Sequence, residues 1–576
     1  MPYDSRPWLK WYDDGIPSDV VTPDISLVDH FNDVASKVAL RPAVFFLGTA
    51  LTYADLMSAA NSVANALIEA GCGTGDVVAI NLPNIPQYLI AQLGVMKAGC
   101  AASGLSPLLT PREMAHQLTD SGAKGLVTLD AIFEHKFAGI ANQVPDLKFV
   151  AVTGILDYVS PIKRTLAKLL KKVPTGKVRS LSGKIVLKYK DILTRYPSRD
   201  PGVKVLSHDR CLIQYTGGTT GVPKGTILTH RNMFAELAFV TEWLQMKWGE
   251  EVILSGFPFF HIAGLALGLG SIFQGHSQIL IPDPRNTKHI LKEMARYRPT
   301  MLVNVPSLYM MLLEEPGFHS LDFSRLGFCL SAASPFPAES LKQLESVVGE
   351  GKVVEAYGLT EGCALVTCNP RRGTKKVGSV GLPLQNTTIR LVDIETGEHQ
   401  VPVGEEGEII VSAPQVMKCY LNKPQETSLA LREYDGKVWL HTGDVARMDE
   451  DGFFTIVDRS KDMLNVGGFK VFSREVEDKM YEHPAIEFCA IIGISNPKRP
   501  GTDIVKLVVQ LKQAFKDRDQ EKLKEDLLGY ARDNFAPYKL PKIIEILDAM
   551  PLTSVGKVDK KALRMKDGVA SANPGS

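Results

Sequence analysis

The sequence predicts an α/β protein, in which a large N-terminal region of two helix-covered, mostly parallel sheets plus a small β-barrel precedes a small, mobile α+β domain. Three observations predict this fold. The chain has 576 residues, which is too long for one core at roughly 100–200 residues per domain. Helical and strand-like patterns alternate through the first part of the chain. Short strands with close turns replace them near Val377.

The first α/β series covers about residues 1–205. Apolar residues at three- and four-residue spacing over 53–70 predict an amphipathic helix, and the apolar run 77–82 predicts a buried strand. A helical pattern returns over 88–98. A second series follows over about 206–376, and each series is expected to form a mostly parallel sheet covered by helices.

One apolar stretch, residues 252–275, is nearly long enough to span a bilayer. Pro258 and His261 interrupt it, and several glycines weaken its helical propensity. The stretch therefore predicts a buried strand followed by a core helix.

The third part of the N-terminal domain is a β unit over 377–458, where Asp-Gly pairs indicate tight turns. It completes a domain of residues 1–458. A hinge over 459–462 is expected to lead into a compact α+β cap domain over 463–576. Ser473 is predicted to cap the first helix of the cap domain.

The charge balance is nearly neutral, with 65 Lys and Arg against 64 Asp and Glu. A general nucleic-acid binder would show a basic excess, so no nucleic-acid partner is predicted. The eight cysteines form no C-x-x-C pair, which argues against a zinc ribbon and favours buried, reduced thiols. The N-terminus carries acidic residues where a signal peptide needs an apolar core, so a cytoplasmic protein is expected.

A basic segment over 161–190 stands out because it holds ten Lys and Arg residues and no acid: Lys163, Arg164, Lys168, Lys171, Lys172, Lys177, Arg179, Lys184, Lys188 and Lys190. Leucines at helical spacing lie between the first of these charges. Such a pattern is suited to peripheral contact with an anionic membrane, on the inner face of the cell membrane. A solvated surface insertion explains it equally well.

The strongest chemical signal is the loop over 215–225, YTGGTTGVPKG. Its glycines allow backbone N–H groups to face an anion, its threonines add hydroxyl donors, and Lys224 adds a charge. These groups are suited to a triphosphate. The loop is not a Walker A motif, because Pro223 precedes Lys224 and no G-K-[ST] follows.

The loop resembles the phosphate-binding signature of the adenylate-forming superfamily, which includes acyl-CoA synthetases, luciferases and peptide-synthetase adenylation domains. Further motifs agree with that family in order, and together they cover almost the whole chain. The Gly217-Gly218 form of the loop, the sequel THRNM over 229–233 and the basic segment look most like bacterial long-chain fatty acyl-CoA ligases. The matching motifs lie at 215–225, 355–361, 441–444, 458–462 with 467–470, and 551–557.

The resemblance implies an ATP and AMP site spread over these motifs. Within it, Tyr357 would stack on adenine, and Asp444 and Arg459 would bind the ribose hydroxyls. The implied nucleotide-binding residues are Thr216, Gly217, Gly218, Thr219, Thr220, Gly221, Lys224, Ala333, Ser334, Glu355, Ala356, Tyr357, Gly358, Thr360, Asp444, Arg459 and Lys557.

The resemblance also implies the catalytic groups. The residues that would interact with the charged phosphates are Lys224, Thr360 and Glu361, and Glu361 would hold Mg²⁺. Lys557 would reach the carboxylate and the α-phosphate during adenylation.

The cap domain is expected to rotate about Lys461 between two reaction steps, as the resemblance implies. The rotation would withdraw Lys557 and bring a coenzyme A loop to the site. That loop consists of Gly467, Gly468, Phe469 and Lys470.

The acyl pocket is expected along the apolar segments 257–269 and 303–312, with His261 as a gate near the carboxylate. The small residues there fit either a long tunnel or close helix packing. The family usually carries Gly-Gly-Ala-Pro where this chain has AASP at 332–335, so added methyl groups are expected to narrow the pocket wall. The expected lining residues are His261, Ile262, Gly264, Val305 and Leu308.

The implied reaction is the ATP-dependent activation of a fatty acid as acyl-AMP, followed by transfer to coenzyme A with release of AMP. Ligases for medium-chain or aryl acids, or ligases that load a carrier protein, share every motif. A luciferase-like oxygenase and a basic membrane- or RNA-binding scaffold with an inactive site are further alternatives. Whether the chain forms a homodimer is left open.

Overall fold

The computed structural model describes residues 3, 5–160, 165, 173–216, 223–459, 462–466, 469–497, 499, 502–553 and 556–566. Three sheets and their helices form the N-terminal region, and two small sheets form the cap domain. This arrangement confirms the predicted α/β class with a small α+β domain at the C-terminal end.

The first sheet has eight strands and is parallel except at one edge, where two antiparallel pairings occur. The parallel strands are buried on both faces, which explains their continuous apolar sequences. In spatial order they are Cys419–Tyr420, Lys224–Thr229, Arg210–Thr216, Ala101–Gly104, Val77–Asn81, Ala123–Leu129, Phe149–Thr153 and Ile185–Lys188.

The second sheet has nine strands and is parallel through its centre. In spatial order they are Leu382–Pro383, Thr367–Cys368, Val353–Tyr357, Phe328–Ser331, Met301–Asn304, Val252–Ser255, Ser277–Leu280, Pro42–Phe46 and Thr49–Thr52.

The predicted boundary near residue 205 does not separate these two sheets. Strands Pro42–Phe46 and Thr49–Thr52 belong to the second sheet, whereas Arg210–Thr216 and Lys224–Thr229 complete the first. The prediction of 1–205 and 206–376 as separate subdomains is therefore wrong in detail. Strand partners are chosen by long-range backbone hydrogen bonds, which local periodicity does not reveal.

The β unit is a five-stranded antiparallel sheet. Its outer strands Thr388–Val392 and Leu431–Tyr434 are not paired with each other in the described part of the chain, so the sheet that the sequence predicts as a small barrel is open. The strands are Thr388–Val392, Glu406–Ser412, Lys437–Met448 and Leu431–Tyr434, with Phe454–Arg459 also paired to Lys437–Met448.

The cap domain has its own hydrophobic core, centred on residues such as Ile491, Leu507 and Leu527. Its strands are Leu464–Val466 paired with Phe469–Val471, and Ile486–Ser495, Asp503–Leu511 and Ile543–Leu547. A separate core is consistent with a unit that moves as one body.

Helices cover the sheets. The α-helices are Leu27–Lys37, Tyr53–Glu69, Pro86–Lys97, Pro111–Asp120, Asp130–Ile132, Ala138–Ile140, Tyr189–Arg195, His230–Trp243, Ile262–Phe273, Thr287–Tyr297, Pro306–Leu313, Ala338–Val348, Pro424–Ala430, Ser473–Met480, Gln520–Asn534 and Lys560–Lys566. The 3₁₀ turns are Pro7–Trp11, Ala141–Gln143, Ile155–Tyr158, Thr360–Gly362, Gln513–Phe515 and Pro537–Lys539, and Phe133–Phe137 is a π turn.

Two local predictions can be compared directly. The apolar stretch at 252–275 is a strand, Val252–Ser255, followed by a core helix, Ile262–Phe273, as predicted. None of the helices in the described ranges is both long and apolar enough to cross a membrane.

The prediction for Ser473 is wrong, because the helix begins at Ser473 itself and the Ser473 hydroxyl donates to Asp458 at 3.1 Å instead of capping.

Candidate active site

The predicted phosphate loop joins two antiparallel strands of the first sheet. Thr216 ends one strand, lies opposite Lys224 at the start of the next, and its Oγ1 donates to the Lys224 carbonyl at 3.5 Å. The structure thus fixes both ends of the loop. Its anion-binding role remains a prediction, because Gly217, Gly218, Thr219, Thr220 and Gly221 lie outside the described residues.

Tyr420 connects Lys224 to Glu361. The Lys224 Nζ lies 5.0 Å from the centre of the Tyr420 ring, which allows a cation–π contact. The Tyr420 hydroxyl donates to Glu361 Oε1 at 2.7 Å. Sequence reasoning missed Tyr420, because it belongs to a two-residue strand, Cys419–Tyr420, that joins the sheet only through tertiary pairing.

Thr360 and Glu361 form a single 3₁₀ turn, in which Thr360 is buried. The Glu361 carbonyl accepts from the Met417 N–H at 2.8 Å. Just before the turn, Gly358 is required by space, because a Cβ there would lie 1.5 Å from the Ala364 carbonyl oxygen. These contacts hold the Glu361 carboxylate in a defined position beside Lys224 and Tyr420.

Glu355 and Ala356 are buried in the strand Val353–Tyr357, which leads into this turn. Burial raises the pKa of the Glu355 carboxyl to about 7, although a hydrogen bond from the Gly378 N–H opposes the increase. Glu355 therefore has a structural role in the site, because its carboxyl group accepts a hydrogen bond from the backbone of Gly378.

Tyr357, Asp444 and Arg459 form one hydrogen-bonded group. The Tyr357 hydroxyl donates to Asp444 Oδ2 at 2.6 Å, and the Arg459 Nε lies 3.0 Å from Asp444 Oδ1. Asp444 and Arg459 are paired across two strands of the β unit. Burial and the Asp444 charge raise the pKa of Tyr357, so the tyrosine is the donor. Two carboxylate oxygens held in this way present acceptors suited to a ribose diol.

Lys557 lies close to this group although it belongs to the cap domain. Burial and, to a smaller extent, the Arg459 charge lower the pKa of the Lys557 ammonium to about 8, although the Asp444 charge opposes the decrease. Burial and the Lys557 charge together lower the pKa of His261 to about 3, so His261 is neutral. The structure therefore brings Lys557, Asp444, Arg459 and His261 together from four separate segments.

The predicted adenine wall follows the strand Phe328–Ser331. Ala332 is buried, and Ala333 and Ser334 are partly exposed. Ala333 has a φ of +76°, a left-handed conformation that costs a non-glycine residue about 1–2 kcal/mol. The alanine therefore occupies a backbone position suited to the glycine that the family usually carries there.

The predicted acyl residues are mostly buried around the helix Ile262–Phe273. His261 caps this helix, since its Nδ1 accepts from the Ala263 N–H at 3.3 Å. A Cβ at Gly264 would lie 2.3 Å from the Pro258 carbonyl oxygen, so this glycine is required for close packing. Ile262, Val305 and Leu308 are buried. Their role as a tunnel lining remains a prediction.

The predicted coenzyme A loop is only partly described, since Gly467 and Gly468, like the predicted hinge residue Lys461, lie outside the described residues. Phe469 is 58% exposed and stacks on Tyr538 at 4.7 Å between ring centres. The Lys470 ammonium lies 3.1 Å from Glu395 of the β unit. In this structure Lys470 is thus paired with the β unit, while Lys557 is within range of the Asp444 and Arg459 charges.

A magnesium ion bound to nucleotide phosphates usually takes only one or two protein carboxylates. Glu361 fits this role, because it is a partly buried carboxylate near Lys224 and keeps Oε2 outside the bond to Tyr420. In the described part of the chain there is no group of three or more His, Cys, Asp or Glu residues that could hold a metal by itself.

Comparison with known proteins agrees with this geometry. The AMP-binding enzyme family matches residues 31–421, and the AMP-binding enzyme C-terminal domain matches residues 475–557. The chain therefore belongs to the AMP-binding enzymes, and the predicted membership of the adenylate-forming superfamily is confirmed.

Within this family, the chain is similar along nearly its whole length to bacterial proteins called long-chain-fatty-acid–CoA ligase. The one from Bacillus subtilis (strain 168) is 37% identical over 573 residues, which is 97% of each chain. The one from Escherichia coli O157:H7 is 35% identical over 566 residues, again 97% of each. A solved anthranilate CoA ligase with bound anthranoyl-AMP matches with a TM-score of 0.82 and 26% identity, over 96% of this chain and 99% of that one.

Proposed function

We propose that the protein is a long-chain fatty acid–CoA ligase, which uses ATP to convert a fatty acid to acyl-AMP and then transfers the acyl group to coenzyme A. The similarity to full-length long-chain-fatty-acid–CoA ligases supports the substrate class. The observation that supports the chemistry is that the Asp444 and Arg459 charges act on Lys557, whose own charge acts on His261.

In the first step, a fatty carboxylate attacks the α-phosphorus of ATP, and pyrophosphate leaves. Lys224 and the threonines of the phosphate loop would bind the leaving phosphates. Asp444 would accept hydrogen bonds from the ribose, in exchange for the hydrogen bond that it accepts from Tyr357. Lys557 would stabilise negative charge that develops between carboxylate and phosphate.

Magnesium would be held by Glu361 and would neutralise phosphate charge when bound. The chain's own contribution is to orient the Glu361 carboxylate, through the Tyr420 hydroxyl and the Met417 N–H. Lys224 adds positive charge over the Tyr420 ring.

In the second step, the coenzyme A thiol attacks the acyl carbonyl, and AMP leaves. Rotation of the cap about Lys461 would withdraw Lys557, break the pair between Lys470 and Glu395, and bring the loop from Gly467 to Lys470 to the site. The Lys470–Glu395 pair is exposed and so contributes little to either arrangement.

Aryl and medium-chain acids are the second candidate substrates, because an anthranilate CoA ligase shares the fold over almost the whole chain. A panel of fatty acids of increasing length and of aromatic acids, measured by coenzyme A-dependent AMP release, tests the assignment. The highest kcat/KM is expected with long-chain acids. A higher value with an aromatic acid, or AMP release with a carrier protein but not with coenzyme A, contradicts it.

Peripheral membrane contact through 161–190 is part of the proposal. Two of its charges are used within the fold: Lys184 donates to the Val144 and Leu147 carbonyls, and Lys190 pairs with Asp157 at 3.2 Å. The cluster from Lys163 to Lys172 lies outside the described residues and is the part proposed to meet an anionic surface. A homodimer is compatible with the proposal, which does not require one.

A further inference from the structure

One hydrogen bond ties the loop that carries Lys557 to the N-terminal domain. The Ser307 hydroxyl donates to the Gly556 carbonyl at 3.0 Å, across the interface between the two domains. Within the described ranges, the other hydrogen bonds of residues 551–557 stay inside the cap. Among them, the Thr553 N–H donates to the Lys557 carbonyl, the Gly556 N–H to the Thr553 carbonyl, and the Lys557 N–H to Thr553 Oγ1. These local bonds shape the loop but do not place it.

The loop also fits closely against the surface that Ser307 belongs to. A Cβ at Gly556 would lie 3.2 Å from Ser307 Oγ and 3.4 Å from Val305 Cγ2. The φ of Gly556 is +81°, a conformation that favours glycine. Ser307 lies in the first turn of Pro306–Leu313, directly after a central strand of the second sheet, so its position is set by the core of the large domain.

Docking of this loop has an electrostatic cost. Burial and the Arg459 charge lower the pKa of Lys557, which means that the docked position disfavours the ammonium before substrate arrives. Specific contacts elsewhere in the loop must offset this free-energy cost if the Lys557 ammonium is to stay docked before substrate binds. The Ser307 hydroxyl supplies such a contact one residue away from Lys557, at the Gly556 carbonyl.

We infer that Ser307 is a positioning residue, which holds the Gly556–Lys557 backbone at the nucleotide site during adenylation and has no part in the coenzyme A step. The inference rests on the proposed function, since it requires two half-reactions with different cap positions. It adds a residue of the large domain that favours one of those positions. Because the same surface includes Val305, the docking surface of the lysine loop adjoins the predicted acyl wall.

The test compares the two half-reactions in Ser307→Ala. Adenylation is measured as fatty-acid-dependent exchange of labelled pyrophosphate into ATP, and the second step as thioester formation from supplied acyl-AMP and coenzyme A. Loss of one neutral hydrogen bond is expected to lower the kcat of adenylation about five- to tenfold with little change in the KM for ATP. The thioester step should stay within about twofold of the parent enzyme, since the bond is absent in that arrangement.

Two further variants make the result decisive. Ser346→Ala removes an exposed serine that donates only to Gln343 within its helix, and it should change neither half-reaction. Gly556→Ala places a methyl group against Ser307 in a strained backbone and should reproduce the selective loss of adenylation. If Ser307→Ala fails to fold, Gly556→Ala decides the question.

Equal loss of both half-reactions, or no loss of adenylation, in the folded variants would overturn the role of Ser307. Failure of the proposed function looks different, because the parent enzyme would then show no fatty-acid-dependent exchange at all.

Discussion

The hydroxyl of Tyr357 donates a hydrogen bond to Asp444 at 2.6 Å, and this bond joins the second sheet to the β unit at the centre of the candidate site. Arg459 approaches the other carboxylate oxygen at 3.0 Å. Both oxygens of Asp444 therefore have partners from the protein. Under the proposed function, nucleotide binding would exchange at least one of these bonds for a ribose hydroxyl, and the ring of Tyr357 is held where adenine is expected.

Asp444→Ala should raise the KM for ATP by about 10- to 100-fold, because hydrogen bonds to a charged group contribute about 1.5–3 kcal/mol. Tyr357→Phe keeps the ring and loses only the hydroxyl, so its KM should rise no more than about fivefold. Pyrophosphate exchange measures both. Tyr434→Phe is the matched control, since Tyr434 contacts His441 inside the β unit. Equal effects of Asp444→Ala and Tyr434→Phe would refute the ribose assignment.

Lys557→Ala should abolish acyl-AMP formation and spare thioester formation from supplied acyl-AMP. The ammonium lies within range of the Asp444 and Arg459 charges, where the nucleotide is expected, and the cap is expected to withdraw it before coenzyme A reacts. Lys561→Ala, an exposed lysine of the same region, serves as control. Equal loss of both half-reactions would argue against a separate role for the lysine in the first step.

The pH dependence of the adenylation rate should follow the deprotonation of the Lys557 ammonium. Because its pKa in the free enzyme is about 8, the ammonium is lost as pH rises above 8, and kcat/KM for ATP should fall about tenfold per pH unit there. Bound phosphates favour the charged form, so the corresponding fall in kcat should occur at higher pH. The pKa of His261 is about 3, so His261 adds no transition between pH 5 and 9.

Lys557→Arg provides the check on this assignment. Its guanidinium remains charged throughout the range, so whatever adenylation activity it retains should not decline between pH 8 and 10. A decline identical to that of the parent enzyme would assign the transition to a different group.

Glu236 stabilises the strained backbone beside the Glu361 turn. Its buried carboxyl accepts from the Leu365 N–H at 2.8 Å, next to Cys363 and Ala364, whose φ values are +64° and +133°. Burial raises the pKa of Glu236 well above its ordinary value, so Glu236→Gln is expected to keep the acceptor and most of the stability. Glu236→Ala leaves the Leu365 N–H unpaired, at a cost of about 1–3 kcal/mol.

Thermal unfolding of the two variants, followed by circular dichroism, measures the difference. The midpoint of Glu236→Ala should fall by about 1–3 °C, while that of Glu236→Gln should stay close to the parent. A larger loss in Glu236→Gln than in Glu236→Ala would show that the negative charge, rather than the acceptor, is required.

Neutralising the cluster at 163–172 should weaken binding to vesicles that contain anionic phospholipid. Each basic residue near such a surface contributes about 1 kcal/mol, so the effect should be large at low salt and absent on neutral vesicles. Co-sedimentation with the two vesicle types measures it. The residues to change are Lys163, Arg164, Lys168, Lys171 and Lys172.

The matched control neutralises an equal number of lysines and arginines on the cap domain. Equal binding of both variants and the parent to anionic vesicles would remove the membrane assignment and leave a solvated insertion. The control positions are Lys512, Lys516, Arg518, Lys522 and Lys524.

Several features of the site could be predicted from sequence because their chemistry is local. The order of the motifs indicated the family, which the comparisons confirm, whereas the phosphate site expected at the loop before Lys224 stays a prediction. The strand and helix within 252–275 followed from Pro258 and from the length of each apolar run. In contrast, the expected cap at Ser473 failed because Asp458, from the strand Phe454–Arg459 of the β unit, binds its hydroxyl.

The sequence by itself determined the family, the reaction class and the residues that carry charge, since these depend on residue types in short motifs. Only the tertiary structure decided which distant groups meet. Three such meetings depend on backbone pairing and packing across long stretches of chain. They are the contacts of Tyr420 with Lys224 and Glu361, the contact of Ser307 with Gly556, and the place of the strands at 42–52 in the second sheet. Such contacts leave no periodic pattern in the residues around them, because their free energy comes from the partner segment.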